Sequence, residues 1–326
     1  MPVLLSEQDV RIVLPMADLI DAMETALAKF SSNEVTQPLR TVIEVGLQKA
    51  FVGIMPAFID EPAMLGTKVV SVFGSNAAVG LPTHLATIIL LDPMTGELLS
   101  IMDGRYITEA RTAAVSAVSV KHLARKDATR LAIIGTGVQA RSHLEAITAV
   151  RQLEHVNVWS RSVANRTAFA QEMRARTTAT ITLASSAREA VQSADVIVLA
   201  TASREPVVHS DWISNGAHVC AVGACRPDQR EMDSALVARG RVFVDSRTGA
   251  LAEAGDIILP MKEGAIREQH LAGELGEVVL GRIAGRTSPD EVTIFKSLGM
   301  AVEDVAAAHL AYLKAAERGL GRGLVL

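Results

Sequence analysis

The sequence predicts an α/β protein in two parts: a doubly wound parallel sheet, and an α+β region with a mostly antiparallel sheet. Three observations carry this. The apolar run Leu131-Ala132-Ile133-Ile134 passes straight into Gly135-Thr136-Gly137-Val138-Gln139-Ala140, and a helical pattern of Ala140, Leu144 and Ile147 follows. After it, strand and helix patterns alternate, as in a parallel sheet covered on both faces. Before it, one amphipathic helix leads into several short strands with no helix between them.

The bulk composition narrows the function classes. A chain of 326 residues with 49% hydrophobic and 21% charged residues is globular and large enough for two domains. A net charge of -4 with no basic run argues against nucleic acid, and 3% aromatics leave little for base stacking. Two cysteines, Cys220 and Cys225, exclude a disulfide framework and fit a reducing compartment. Met1 to Leu5 leads into acidic, helix-like sequence without the basic start and apolar run of a secretory leader. The apolar runs, such as Ala86 to Leu91, are too short to span a bilayer. A cytoplasmic protein is expected.

In chain order, Ser6 caps a first helix with Asp9 three residues on. Leu19, Ile20, Met23, Leu27 and Phe30 mark a core-facing helix over Met16 to Phe30. Strands are expected at Arg40 to Val45, Lys49 to Pro56, Leu65 to Val72, Ala86 to Leu91 and Leu98 to Met102, with a turn at Asp92 to Glu97. Thr108 to Leu123 reads as a long helix bridging the two parts. The strands after the glycine turn are Val156 to Trp159, Thr180 to Leu183, Val196 to Ala200, His218 to Val222 and Val242 to Asp245. Glu303 to Arg318 is an alanine-rich helix expected to return to the first part. Gly319 to Leu326 reads as a loosely ordered tail.

The glycine turn carries the first functional reading. A buried parallel strand must stop sharply, which Gly135 permits. Gly137 presents no side chain to an approaching pyrophosphate, and Ala140 lets the new helix pack close to the sheet. Free N–H groups at the helix start then favour phosphate. The strand before and the helix after supply the context that a bare Gly-x-Gly-x-x-Ala lacks. The second strand ends Val158-Trp159-Ser160-Arg161-Ser162, with no acid to grip a ribose 2′-hydroxyl. Ser160 and Arg161, with Arg166 one helical turn on, suit a 2′-phosphate instead. NADPH is therefore expected ahead of NADH. The competing reading leaves Arg161 and Arg166 as solvated surface residues.

Three cations form a second group: Arg40 at a strand start, Lys68 inside the apolar run Thr67 to Val72, and Arg111 after Asp103-Gly104. Each alone reads equally as a surface charge. Lys68 either points outward by alternation or is held in a site. Together the three suit a carboxylate. Cys225 lies just past a parallel strand, where ligands of open α/β sheets bind, whereas Cys220 reads as a core thiol. The spacing of these residues does not support a metal. His84 reads as a cofactor contact or a structural histidine.

These stretches, taken together, resemble the ornithine cyclodeaminase/mu-crystallin family, and within it the mu-crystallin-like ketimine reductases. The matching runs are Gly96 to Leu99, Met102 to Gly104, Ile107-Thr108, Arg111 to Ala114, Gly135 to Ala140, Arg226 to Asp233 and Phe295 to Asp304. The resemblance implies a Rossmann-type domain over 117–304. It implies a substrate-binding and dimerisation domain from 1–116 and 305–326, joined sheet to sheet in a homodimer. It implies that Arg40, Lys68 and Arg111 bind the substrate carboxylate, with Lys68 near the reacting carbon and Glu253 facing the pocket. Lys68 and Cys225 are the candidate catalytic residues. The expected cofactor contacts are Thr83, His84, Arg111, Thr112, Gly135, Thr136, Gly137, Val138, Gln139, Ser160, Arg161, Arg166, Thr201, Val222, Gly223 and Ser297.

One departure selects the branch. Cyclodeaminases and the related alanine dehydrogenases carry an aspartate where this chain has Cys225, and cyclodeaminases tend to have an acid after the second strand. The expected reaction is NADPH-dependent reduction of a small cyclic ketimine carboxylate: pyrroline-2-carboxylate to proline, or piperideine-2-carboxylate to pipecolate. The alternatives are an ornithine cyclodeaminase releasing ammonia, and a non-catalytic protein that binds NADPH and a small acid.

Overall fold

The computed structural model describes residues 1–46 and 50–325. The chain divides into two compact units: Met1–Arg111 with Met300–Leu326, and Thr112–Gly299. The sequence reading set these divisions at 116/117 and 304/305. At the second division the helix that carries Glu303 and Asp304 belongs to the first unit, where these acids form ion pairs with Arg111 and Lys68.

The first unit is a mostly antiparallel sheet. Its strand order is Arg322–Gly323, Val3–Leu5, Leu98–Asp103, His84–Leu91, Met64–Val72, Ala50–Ile59, Val35–Thr36, with Thr41–Val45 also paired to Ala50–Ile59. The pairing of Val3–Leu5 with Leu98–Asp103 is parallel. The expected start of one strand at Lys49 lies outside the described residues. The C-terminal segment is not the loose tail the sequence suggests. Arg322 and Gly323 pair with Leu4 and Val3, giving the sheet an edge strand.

Helices Glu7–Val13, Met16–Ser31 and Ala301–Glu317 complete this unit. Ser6 caps the first as expected: its hydroxyl accepts from Asp9 N–H, and Asp9 accepts from Ser6 N–H in return. Helix Ala301–Glu317 packs on the sheet over Gly66. A Cβ there would stand 2.8 Å from the Ile89 carbonyl and 3.3 Å from Val305. That missing side chain lets the helix descend onto the strand that carries Lys68.

The second unit holds eight parallel strands in the order Thr180–Leu183, His155–Trp159, Arg130–Ile134, Val196–Leu199, His218–Ala221, Thr293–Lys296, Arg241–Val244, Leu271–Glu274. Two of these, Leu271–Glu274 and Thr293–Lys296, go beyond the strands read from the sequence. Apolar clusters cover both faces: Ile134, Ile197, Val219 and Ile294 point one way, Ile133, Val198, Phe169 and Cys220 the other. Strands buried along their whole length, such as Val196–Leu199 and His218–Ala221, are the sign of a doubly covered sheet. Among the described residues no helix is long and apolar enough to cross a membrane.

Candidate functional site

In the second unit the glycine turn is built as its chemistry requires. Gly135 sits at φ +118°, and a Cβ would come 2.4 Å from the Ala200 carbonyl, so only glycine fits. Gly137 starts helix Val138–Val150 without a side-chain cap, and the space beside its Cα is open. The first N–H groups of that helix are therefore available to an anion. Val138 is half exposed at the helix start, and Ala140 is fully buried against the sheet. The Gln139 carbonyl bonds the His143 ring 2.7 Å away.

A cleft of about 310 Å³ opens at this turn, lined by Gly135, Thr136, Trp159 to Ser162, Asn165, Thr201 to Ser203 and Val207. The Thr136 hydroxyl donates to Ser160 Oγ at 3.2 Å, tying the turn to the end of the second strand. Arg161 is exposed at the rim. Arg166 does not line the cleft. Its guanidinium donates to the Ala184 carbonyl beside strand Thr180–Leu183, because one turn along helix Val163–Met173 its side chain turns toward that strand. Asn165 takes a place in the cleft that the sequence reading missed. Ser297, past strand Thr293–Lys296, is buried with no hydrogen-bond partner for its hydroxyl among the described residues. The glycine cradle, free helix start and acid-free cleft fit a dinucleotide.

Beneath these loops lies a buried charge cluster absent from the sequence reading. Glu231, Asp256 and Lys296 are each fully buried. Glu231 Oε1 accepts from Thr201 N–H at 2.6 Å and Oε2 from Gly223 N–H at 2.7 Å. Asp256 Oδ1 accepts from the N–H groups of Glu231 and Met232, and Oδ2 lies 3.1 Å from Lys296 Nζ. Burial, then Asp256, pushes Glu231 up to about 7, against the pull of Lys296. Burial works against the Lys296 ammonium, but Asp256, Cys225 and Glu231 outweigh it and raise its pKa. Cys225 is exposed near this lysine, its thiol donating to the Val222 carbonyl at 3.3 Å. Cys220 is a core thiol, pushed up to about 12 by burial.

In the first unit, Lys68 lies on the inward face of strand Met64–Val72 with Gly66 and Val70, while Val69 points out. Its Nζ is 2.5 Å from Asp304 Oδ2. Arg111 Nε donates to Asp304 Oδ1 at 3.0 Å and Nη1 to Glu303 Oε2 at 2.7 Å. Both acids stand in the first turn of helix Ala301–Glu317, where the helix dipole favours negative charge. Gln37 accepts from Val302 N–H and holds that turn in place. Burial lowers Lys68 to about 8, with Arg111 and Arg40 adding to the fall and Asp304 opposing it. Burial pushes Asp304 up, but Arg111 and Lys68 outweigh it and hold the carboxyl below its usual value.

The structure thus brings Arg40 and Arg111 within electrostatic reach of Lys68. It adds two acids, Glu303 and Asp304, that stood in the sequence only as part of a matching stretch. His84, at the start of strand His84–Leu91 after Thr83, is part of the same group. Burial lowers it to about 4, and Lys68 and Arg111 add to the fall, so it is neutral near pH 7. Glu253 ends helix Arg247–Glu253 of the second unit, half-buried, whereas the three cations belong to the first. Thr112, the first residue of the second unit, is buried on helix Arg105–Leu123, and Val222 is buried beside Gly223. Among the described residues no group of three His, Cys, Asp or Glu is arranged to hold a metal.

The family model of the ornithine cyclodeaminase/mu-crystallin family matches residues 1–319. The chain belongs to that family. It is 41% identical to the ketimine reductase mu-crystallin of Mus musculus, over 95% of this chain and 96% of that protein. It is 38% identical to a Delta(1)-pyrroline-2-carboxylate reductase of Bacillus cereus, over 97% and 98% of the two. Among solved structures, it is similar to the Thermococcus litoralis Delta(1)-pyrroline-2-carboxylate reductase in complex with NADH and L-proline. That likeness has a TM-score of 0.97 and 43% identity, and covers 99% of this chain and 100% of the other.

Proposed function

We propose that this family member reduces a small cyclic ketimine carboxylate, pyrroline-2-carboxylate or piperideine-2-carboxylate, to the L-imino acid with NADPH. The observation that carries the substrate class is the buried pair Lys68 and Arg111 in the first unit, with Arg40 in electrostatic reach of Lys68. Guanidinium and ammonium groups gathered in this way suit a carboxylate. The names of the mouse, Bacillus and Thermococcus relatives point to the same substrates.

The nicotinamide cofactor supplies the hydride that reduces the C=N bond. Gly135, Thr136, Gly137 and the start of helix Val138–Val150 would hold its pyrophosphate, and Ser160 and Arg161 its 2′-phosphate. Lys68 and Arg111 are braced by Asp304 and Glu303, so they are fixed before substrate arrives. Such preorganisation spares the ordering cost at the moment of reaction. Lys68 orients the carboxylate so that the imine carbon is presented for reduction. Cys225, past strand His218–Ala221, is a thiol where the cyclodeaminase branch has an acid, which argues against ammonia release.

NADH is the second reading of the cofactor, favoured by the NADH bound in the Thermococcus relative. The acid-free end of strand His155–Trp159 supports NADPH here. A homodimer is proposed from the resemblance. Strand Thr41–Val45, exposed along its whole length with Val42 and Ile43 about half exposed, offers an apolar sheet face for it.

The deciding experiment is a screen of NADPH and NADH oxidation with cyclic imines of both ring sizes, acyclic 2-keto acids with amines, and ornithine alone. Turnover on cyclic imines with NADPH is the expected result. Ammonia from ornithine without added cofactor would favour the lyase. Cofactor binding without turnover on any compound would favour a binding protein.

A further inference from the structure

The two turns that follow strands Val196–Leu199 and His218–Ala221 lie unusually close. A Cβ on Gly223 would stand 2.0 Å from the Thr201 carbonyl and 2.5 Å from the Thr201 nitrogen. Two backbone segments at that distance need something to fix their register. The Glu231 carboxylate does this, with one oxygen on each turn: Oε1 on Thr201 N–H, Oε2 on Gly223 N–H. Its own backbone is tied down as well. The Glu231 carbonyl accepts from Val207 and Val208 N–H, and its N–H donates to Asp256. Asp256 in turn carries Lys296, next in sequence to Ser297. Thr201 lines the cleft at the glycine turn, and Gly223 leads to Cys225.

We propose that Glu231 is a positioning residue for the dinucleotide site, its ionised carboxylate clamping the Thr201 and Gly223 turns together, with Lys296 as its countercharge and Asp256 tying down its backbone N–H. The clamp rests on the dinucleotide reading of this unit and not on the choice of imine. Only an ionised carboxylate can accept at both oxygens from two N–H groups without turning a proton toward one of them. A second buried acid, Asp256, disfavours that charge, and Lys296 restores it. Asp256 and Lys296 are the charged groups that act on Glu231, and the Cys225 thiol acts in turn on Lys296. The closeness of Glu231 to neutrality makes the clamp sensitive to mild acid.

Glu231→Gln tests the clamp with little change of shape. The amide offers one acceptor oxygen and turns an NH₂ toward the other N–H, so one turn is released. Three quantities are measured: NADPH Kd by fluorescence on the enzyme without substrate, amide hydrogen exchange at Thr201 and Gly223, and Tm. The expected result is a Kd weakened roughly tenfold or more, with faster exchange at one or both amides. A lowered Tm with unchanged Kd and unchanged exchange at both amides would show a merely structural residue and overturn the proposal.

The wild type gives a second test if the variant does not fold. The Thr201 and Gly223 amide resonances should titrate together, with one shared midpoint near the Glu231 value of about 7. Independent titration of the two amides, with separate midpoints, would also overturn it. Neither test uses the imine. Failure of every ketimine substrate with a shifted Kd would refute the substrate reading and leave the clamp standing.

Discussion

The protein contains two buried charge clusters that look alike and differ in what their acids hold. In the first unit Lys68, Arg111, Glu303 and Asp304 form ion pairs at 2.5 to 3.0 Å, with Arg40 in electrostatic range of Lys68. In the second unit Glu231, Asp256 and Lys296 are equally buried. Buried charges cost several kcal/mol each unless they are paired and hydrogen-bonded. The acids of the second cluster are turned to the backbone: Glu231 accepts from Thr201 and Gly223 N–H, and Asp256 from Glu231 and Met232 N–H. The acids of the first are turned to cationic side chains, Asp304 to Lys68 and Arg111, and Glu303 to Arg111. Acids on N–H groups hold backbone in place. Acids that fix cationic side chains hold those cations ready for an anion.

The largest effect should come from removing the central cation of the first cluster. Lys68→Ala should lower kcat/KM on the cyclic imine by at least about a hundredfold, from a lost charge-assisted contact and lost positioning. NADPH affinity should barely change. Asp304 keeps its partner Arg111, so the variant should fold, which Tm checks. A folded variant with near-normal kcat/KM would erase the functional difference between the clusters.

Arg161→Ala should act only at the rim of the cleft in the second unit. NADPH binding should weaken by roughly ten- to a hundredfold, the worth of one charge-assisted hydrogen bond, while NADH binding is spared. Equal use of the two cofactors by the wild type would remove the 2′-phosphate assignment.

The clusters should also separate by pH. A carboxylate ligand requires Lys68 protonated, and in the free protein its pKa is lowered to about 8. Affinity for an analogue without a titrating ring nitrogen, such as pyrrole-2-carboxylate, should therefore be full below that value. It should fall by up to about tenfold per pH unit above it. A flat affinity across this range, measured by calorimetry, would mean that Lys68 does not carry the ligand charge.

The smallest effect is expected at Cys225. Cys225→Ser should keep reductase activity within about tenfold, since acid–base roles are typically worth 10²–10⁴. A loss beyond about a hundredfold would give the thiol a proton-transfer role. Ammonia released from ornithine by the wild type would contradict the reductase branch.

The sequence by itself determined whatever rests on neighbours in the chain. The strand, glycine turn and helix around Gly135 form one local unit, and the helix cap of Ser6 spans three residues, so both were legible. The missing acid after Trp159 was legible for the same reason. Lys68 stood out because its apolar flanks made a charge unusual there, but alternation alone did not say which way it faces.

Tertiary structure alone decided the partners. Arg111 and Asp304 are 193 residues apart, and only the descent of helix Ala301–Glu317 onto Gly66 brings them together. Glu231, Asp256 and Lys296 come from three separate segments and look like ordinary surface charges in sequence. Strands Thr293–Lys296 and Leu271–Glu274 were missed because four residues are too few to show a period, and Thr293–Lys296, buried on both faces, does not alternate. The turn of Arg166 toward the Ala184 carbonyl and the pairing of Arg322–Gly323 with the first strand depend on groups distant in the chain. Local pattern decides which elements form. Burial of charge depends on which elements meet, and that is a property of the assembled fold.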